Sequence, residues 1–277
     1  MGVVLEVPTS LSPSRVEKFL SCPLAFRFAT IEKLPEPPTI HTTRGSLVHR
    51  ALELAYARPA PERTPDAFRA ALAVATREFR TRPDVVELGL DAAGIATLED
   101  ECRVLVERSL ELEDPTAVRA IGLELRLAAQ VGDLELRGVI DRLDLRDDGE
   151  LVVVDYKTGR APSVSWEQRS LSGVQFYAFL CERVFGRRPA AVRLVYLSSG
   201  EVIETRPSEQ STRFVTTRAA AIHQAVELAV RTDDFRPRPS SRCATCTFRT
   251  WCPAFGGDPA HAALEAVGAP MVTSVAS

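Results

Sequence analysis

Asp155 and Lys157 stand two residues apart in ELVVVDYKTG, where an acid and an amine can cooperate on one reacting group. Val152, Val153 and Val154 are β-branched, and the turn residues Asp147-Asp148-Gly149 and Thr158-Gly159 bound them, as for a buried strand. The strand period of two then puts carboxylate and ammonium on the same face. Lysine is scarce in this chain: of 34 basic residues only Lys18, Lys33 and Lys157 are lysines. A second acid, Asp141 in LRGVIDRLDL, lies on the preceding strand-like segment, and a hairpin would bring the two carboxylates side by side. Such a pair repels itself unless a cation intervenes, and Mg²⁺ is commonly held by one or two carboxylates, with water and substrate phosphate completing its shell. Lys157 beside it could orient or deprotonate a polarised water, or stabilise charge developing on phosphorus. That is the chemistry of phosphodiester hydrolysis. The plainer alternative pairs Asp141 with Arg137 or Arg142 at the surface and makes Lys157 a strand-end residue.

A second constellation is Cys243, Cys246 and Cys252, spaced C-x2-C-x5-C in RCATCTFRTWCP. Three thiols at that spacing, in a segment of little periodicity, suit a metal site, and four thiolates fit either tetrahedral Zn²⁺ or a [4Fe–4S] cluster. Cys102 and Cys181 fall singly within helical patterns and read as small buried side chains.

The elements that must carry these groups follow from periodicity. Ser12-Pro13 opens a helix that Cys22-Pro23 interrupts, a second runs from Arg44 to Ala57, Thr64-Pro65 opens a third, and Gly94 to Leu112 reads as a fourth. From Val118 the period changes to three strands, 118–131, 134–146 and 150–156, joined by tight turns as a meander. A helix from Trp166 to Phe185, a hairpin around Ser199-Gly200 and a helix from Ser208 to Val230 complete a βββαββα order. The expected organisation is a helical region over 1–117, a core over 118–235, a cysteine segment over 236–256 and a mobile tail over 257–277. With 277 residues, 45% hydrophobic content and a net charge of −3, the chain can bury a large core but has no global positive field. Nucleic-acid contact would depend on a local patch, for which arginines 137, 142, 160, 169 and 193 are candidates. No basic-flanked apolar leader and no membrane-length apolar run occur, so a cytoplasmic location is expected. The KTG triplet lacks an S-x-x-K partner and no P-loop occurs, which excludes a serine acyl-transfer enzyme and a built-in helicase motor.

Five ordered motifs together resemble the PD-(D/E)XK nuclease superfamily, and within it the RecB-like exonucleases that carry an iron–sulfur cluster. SLSPSRVEKFLSCPLAFRF is similar to the family's first helix with a cluster cysteine, here Cys22; RGSLVHRALE to its histidine motif, here His49; GVIDRLD and VVDYKTG to its two core motifs; and CATCTFRTWCP to its cysteine triplet. The resemblance implies an α/β fold, a mixed sheet flanked by helices as in restriction endonucleases, with a helical N-terminal region and a cysteine-bound C-terminal cap. It implies Asp141, Asp155 and His49 as ligands of Mg²⁺ or Mn²⁺, Lys157 as the catalytic lysine, and Gln175 in GVQFYAFL as a residue that positions lysine or substrate. Glu124 in IGLELRL is either a further carboxylate at the metal or an ordinary strand residue. The family's tyrosine four residues after the glutamine is Phe179 here, and Tyr177, only two residues on, points elsewhere on a helix. The implied cofactor of Cys22, Cys243, Cys246 and Cys252 is a [4Fe–4S] cluster, with zinc as the alternative. The implied activity is a metal-dependent DNA nuclease, an exonuclease of repair or recombination, acting on single strands or free ends with a helicase as partner. A CRISPR-associated end-trimming nuclease working with adaptation proteins, and a non-catalytic DNA-end-binding subunit, are the alternatives.

Overall fold

The computed structural model describes residues 5–161 and 164–266, with side chains apart from those of 164–172 and 263–266. In chain order the elements are β1 (Ser10–Leu11), α1 (Pro13–Ser21), α2 (Pro23–Phe26), a π-helical turn (Arg27–Ile31), α3 (Ile40–Tyr56), α4 (Pro65–Arg80), α5 (Pro83–Val86) and α6 (Ala92–Leu112). There follow β2 (Ala120–Val131), β3 (Leu134–Leu145), β4 (Leu151–Lys157), α7 (Val164–Phe185), β5 (Ala191–Tyr196), β6 (Glu201–Thr205), α8 (Glu209–Thr232) and α9 (Pro259–Ala266). The helix starts are written in short polar side chains: Ser12, Thr39, Thr64 and Asp91 each accept a hydrogen bond from a backbone N–H of the first turn. Proline follows two of these caps directly, at Pro13 and Pro65, where its missing N–H costs nothing.

Compactness divides the chain into two units that combine segments distant in sequence. One contains 38–129 and 138–215. In it β2 pairs with β3, β3 pairs antiparallel with β4, β4 pairs parallel with β5, and β5 pairs antiparallel with β6. The sheet is therefore mixed: α7 makes the crossover that the parallel step requires, and it packs on β5. Helices α3, α4 and α6 pack on one another and share a core with Val152, Val154 and Tyr156 of β4. Every residue of β4 from Leu151 to Tyr156 is buried, which is why the strand reads as a continuous apolar run.

The other unit contains residues up to Pro37, 130–137 and 216 onward. In it β1, too short to signal itself in a stretch expected to be helical, runs parallel to the start of β3, Ser10 opposite Glu135. Leu24, Phe28, Phe235, Phe248 and Ala262 form its small core, with Phe28 5.4 Å from Phe248 and 6.1 Å from Trp251 between ring centres. The region from 257, expected to be a mobile tail, instead contains α9, whose Ala262 is fully buried in that core. Residues 267–277 lie outside the described residues.

Gly257 shows how closely this unit is packed. Its N–H donates to the Cys252 carbonyl at 3.0 Å, and a Cβ there would overlap the Thr250 carbonyl oxygen and the Cys252 nitrogen, backbone atoms that cannot rotate away. Gly257→Ala is expected to destabilise this unit by about 1–3 kcal/mol or more. Thermal unfolding should show a lower midpoint than wild type, and an unchanged midpoint would contradict the packing described.

Candidate active site

The site is assembled where the β3–β4 ladder gives out. Regular pairing runs from Leu145↔Leu151 to Arg142↔Val154. Beyond it the Asp141 side chain takes over from the backbone, its Oδ2 accepting the Tyr156 N–H at 2.6 Å. Asp141 Oδ1 lies 3.4 Å from His49 Nδ1. The plainer pairing of Asp141 with Arg137 or Arg142 is thereby set aside.

His49 projects from α3, and its Nε2 is 3.0 Å from the Tyr156 carbonyl. A carbonyl can only accept, so Nε2 carries a proton, and in the neutral ring Nδ1 is left as a lone pair. That lone pair faces Asp141 Oδ1 and, at 4.0 Å, Glu124 Oε1. Ligand atoms of His49, Glu124 and Asp141 all fall within 4.8 Å of one another, and among the described residues no other His, Cys, Asp or Glu group does so. Three acceptors converging with no donor between them is a set that a cation satisfies. Glu124 sits at a local irregularity within β2: its φ is +44°, a backbone state that L-residues adopt at a cost and that concentrates at functional positions. The alternation of IGLELRL carries no sign of that irregularity, so the sequence left Glu124 undecided.

Asp155 and Lys157 flank this group on β4. Asp155 is 3% exposed. Its buried Oδ2 is ion-paired with the Lys157 ammonium and is not otherwise hydrogen-bonded. Burial pushes the Asp155 carboxyl above its ordinary range, and Asp141 adds to the effect against the pull of Lys157. For Lys157, burial favours loss of the proton, but the charge of Asp155 and its hydrogen bond outweigh this and hold the amine as ammonium. For His49, burial again pulls downward, and the hydrogen bond and charge of Asp141, with Asp155 and Glu124 behind it, raise the imidazole above its ordinary value. Burial, then Asp141, lifts Glu124. Each shift reports negative charge gathered in a poorly hydrated place.

On α7, Gln175 is half-buried. Tyr177, about 200° further round the helix, is the one that senses the acids. Burial pushes its phenol well above the ordinary value, and Asp155, Asp141 and Glu124 push it further. Its ring closes on Gly138, where a Cβ would come 3.1 Å from Cε1.

The arginine patch is also corrected. Arg142 is fully buried and bonded to Glu113, Asp144 and Tyr156. Arg193 lies 3.6 Å from both Glu113 and Glu204, and Arg137 pairs with Glu135, while Arg160 is exposed. The side chain of Arg169 lies outside the described residues. Sequence proximity to the motif strands does not distinguish inward from outward arginines.

The four cysteines fall within the unit formed by the chain's two ends. Cys252 belongs to its core, with Cys22 and Cys246 packed against it. Burial pushes the Cys246 thiol up, and charge on Cys22, Cys243 and Cys252 would push it further, so all four are electrostatic neighbours. Backbone N–H groups of Ser240 (3.3 Å) and Phe248 donate to the sulfurs of Cys243 and Cys246. Cys102 and Cys181 are buried apart from them, and burial pushes both thiols up to about 12. Among the described residues no helix is long and apolar enough to cross a membrane.

Comparison with known proteins bears on this geometry. The family model of the PD-(D/E)XK nuclease superfamily matches residues 10–253. The crystal structure of a protein named "Putative exonuclease" from Eubacterium rectale superposes with a TM-score of 0.55, covering 86% of this chain and 87% of that one at 8% identity, a likeness of fold alone. The crystal structure of the protein SSO0001 covers 90% and 88% at 15% identity, with a TM-score of 0.43 too low to carry an argument. None of the curated proteins compared with the chain matches it.

A cation at Nδ1 must displace the proton that the surrounding acids favour there. Mn²⁺ binding should therefore tighten as pH rises through and above the ordinary histidine range, releasing up to one proton from His49. Calorimetry in two buffers of different ionisation enthalpy should detect that proton, and His49→Ala should release less; equal release from both proteins would remove His49 from the site.

Proposed function

Because the chain belongs to the PD-(D/E)XK nuclease superfamily, we propose that it is a Mg²⁺- or Mn²⁺-dependent deoxyribonuclease acting as an exonuclease on DNA with free ends. The observation that carries this reading is the convergence of His49, Glu124 and Asp141 beside the Asp155–Lys157 pair. In it His49, Glu124, Asp141 and Asp155 hold the cation. The bound cation supplies Lewis-acid polarisation of water and of the scissile phosphate. Lys157, an ammonium beside Asp155, would donate hydrogen bonds and charge to a phosphate oxygen. Tyr177, kept neutral, offers a phenolic O–H to the same region. Asp141 and His49 are held through Tyr156, which limits their freedom before substrate arrives.

The four cysteines are proposed to bind a [4Fe–4S] cluster, as in the RecB-like branch, and repair or recombination of DNA is the corresponding role. The resemblance to that branch supports a cluster over zinc, and the sulfurs of Cys243 and Cys246 already accept backbone N–H groups, as metal-bound thiolates do.

End-labelled linear and circular DNA, single- and double-stranded, incubated with Mg²⁺, Mn²⁺ or EDTA tests the activity. Linear DNA should be degraded only with metal, and intact circles should resist. Asp141→Ala, Asp155→Ala and Lys157→Ala should each lower the rate by about 10²-fold or more in folded protein; wild-type rates in any of them would exclude that residue.

Anaerobically purified protein should be brown with about four irons per chain, as a [4Fe–4S] centre requires. Cys22→Ser should lose iron and lower the unfolding midpoint more than Cys102→Ser, because the site also closes a chain loop of more than 200 residues. Stoichiometric zinc without iron would make this a zinc site, and full metal content in Cys22→Ser would remove that residue from it.

A further inference from the structure

The residue between Asp155 and Lys157 has a second set of bonds, on the other face of the sheet. Its main chain holds two proposed ligands, donating to Asp141 Oδ2 at 2.6 Å and accepting from His49 Nε2 at 3.0 Å. The strand period sends the Tyr156 side chain away from them. There the buried phenol accepts from Arg142 Nη1 at 2.5 Å. Arg142 is itself wholly buried and uses all its N–H groups. Nη1 also reaches Glu113 Oε1 at 2.5 Å, Nη2 reaches Glu113 Oε2 at 2.8 Å and Asp144 Oδ2 at 2.9 Å, and Nε reaches Asp144 Oδ1 at 2.9 Å. Tyr56 of α3, the helix that carries His49, donates to Glu113 Oε1 at 2.5 Å, and its ring lies 4.2 Å from the Arg142 guanidinium.

A guanidinium buried between carboxylates is a weak source of stability, since apolar side chains of similar volume often do as well or better. What it supplies is one geometry: a planar fork of donors admits its partners at fixed positions. With the phenol pinned at one end and β4 paired to β5 at the other, the two peptide planes of Tyr156 have little room to turn. We propose that the buried Arg142–Glu113–Asp144–Tyr56 network is a positioning device for the metal site, acting through the Tyr156 main chain to keep Asp141 and His49 at ligand spacing. The inference rests on the metal-site reading above. Arg142, Glu113 and Tyr156 touch neither substrate nor cation in it and are positioning residues.

Tyr156→Phe removes one hydroxyl and keeps the ring, and Glu113→Gln keeps the shape and removes one charge. Both are compared with Leu105→Ala, a deletion in the apolar core of the same unit. The readouts are Mn²⁺ binding by calorimetry, the Mn²⁺ concentration for half-maximal cleavage, and the unfolding midpoint. Tyr156→Phe and Glu113→Gln should each weaken Mn²⁺ about tenfold or more. Saturating Mn²⁺ should restore most of the cleavage rate, with the DNA concentration for half-maximal rate unchanged. Leu105→Ala should lower the midpoint and leave Mn²⁺ affinity alone. Mn²⁺ affinity within twofold of wild type in folded Tyr156→Phe would overturn the proposal, as would equal weakening in Leu105→Ala. If both network variants fail to fold, Tyr56→Phe, which removes one donor from Glu113, is judged by the same comparison with Leu105→Ala. A wild-type protein that binds no Mn²⁺ would instead sink the metal-site reading itself.

Discussion

Negative charge gathered in excess of the one ammonium beside it is the constraint around which the catalytic region is organised. Asp141, Asp155 and Glu124 are brought near one another and near a histidine whose Nε2 faces away, toward the Tyr156 carbonyl, and whose Nδ1 faces the acids. Such a group would fly apart if its members were free to move, so each is tied down: Asp141 by a main-chain N–H, His49 by a carbonyl, Asp155 by burial in β4 and an ammonium two residues on. The tension shows in the titration behaviour, where His49 and Lys157 are pulled toward their charged forms and Asp155 and Glu124 toward neutral ones. A divalent cation at this group would relieve all of these at once.

The unit built from the chain's ends obeys a different rule. Its apolar core is small, and the cysteine segment is a succession of short turns, from Ser241–Thr245 through Arg249–Trp251 to Pro253–Phe255, closed by local backbone hydrogen bonds and containing no long helix or strand. Phe28, Phe248 and Trp251 supply close ring contacts, but few segments of this kind hold one conformation without a covalent or metal link. The ion pairs of Arg27 with Asp233, and of Arg242 with Glu17, lie where the N-terminal helices meet the C-terminal segment. They fix which surfaces meet while adding little stability where they are exposed.

Much of this was legible in the residues themselves. VVVDYK announced a buried strand because burial on both faces demands an uninterrupted apolar run, and the change of period at Val118 announced the meander. Caps at Ser12 and Thr64 marked helix starts to within a residue because the side chain that ends the N–H deficit is local. What escaped was whatever depends on direction in three dimensions. Whether Gln175 or Tyr177 faces the acids depends on how α7 is rotated on the sheet. Whether Arg142 faces solvent depends on which side of β3 is covered. The bend at Glu124 and the two-residue β1 leave no periodic trace, and α9 is recognisable only from the core that Ala262 enters.

The discontinuous make-up of the cysteine-bearing unit has a consequence for biosynthesis. A ribosome releases Cys22 more than 200 residues before Cys252, with nearly all of the sheet and its helices made in between. The hydrolytic unit can therefore complete its hydrogen bonding while the other still lacks half of its parts. During that interval the N-terminal helices expose Leu24, Phe26 and Phe28, side chains that the finished protein buries almost completely. Any cofactor needing all four thiols can be inserted only after Cys252 has been made, so nascent chains stalled before Cys243 should carry a formed sheet and an exposed, chaperone-accessible N-terminal segment.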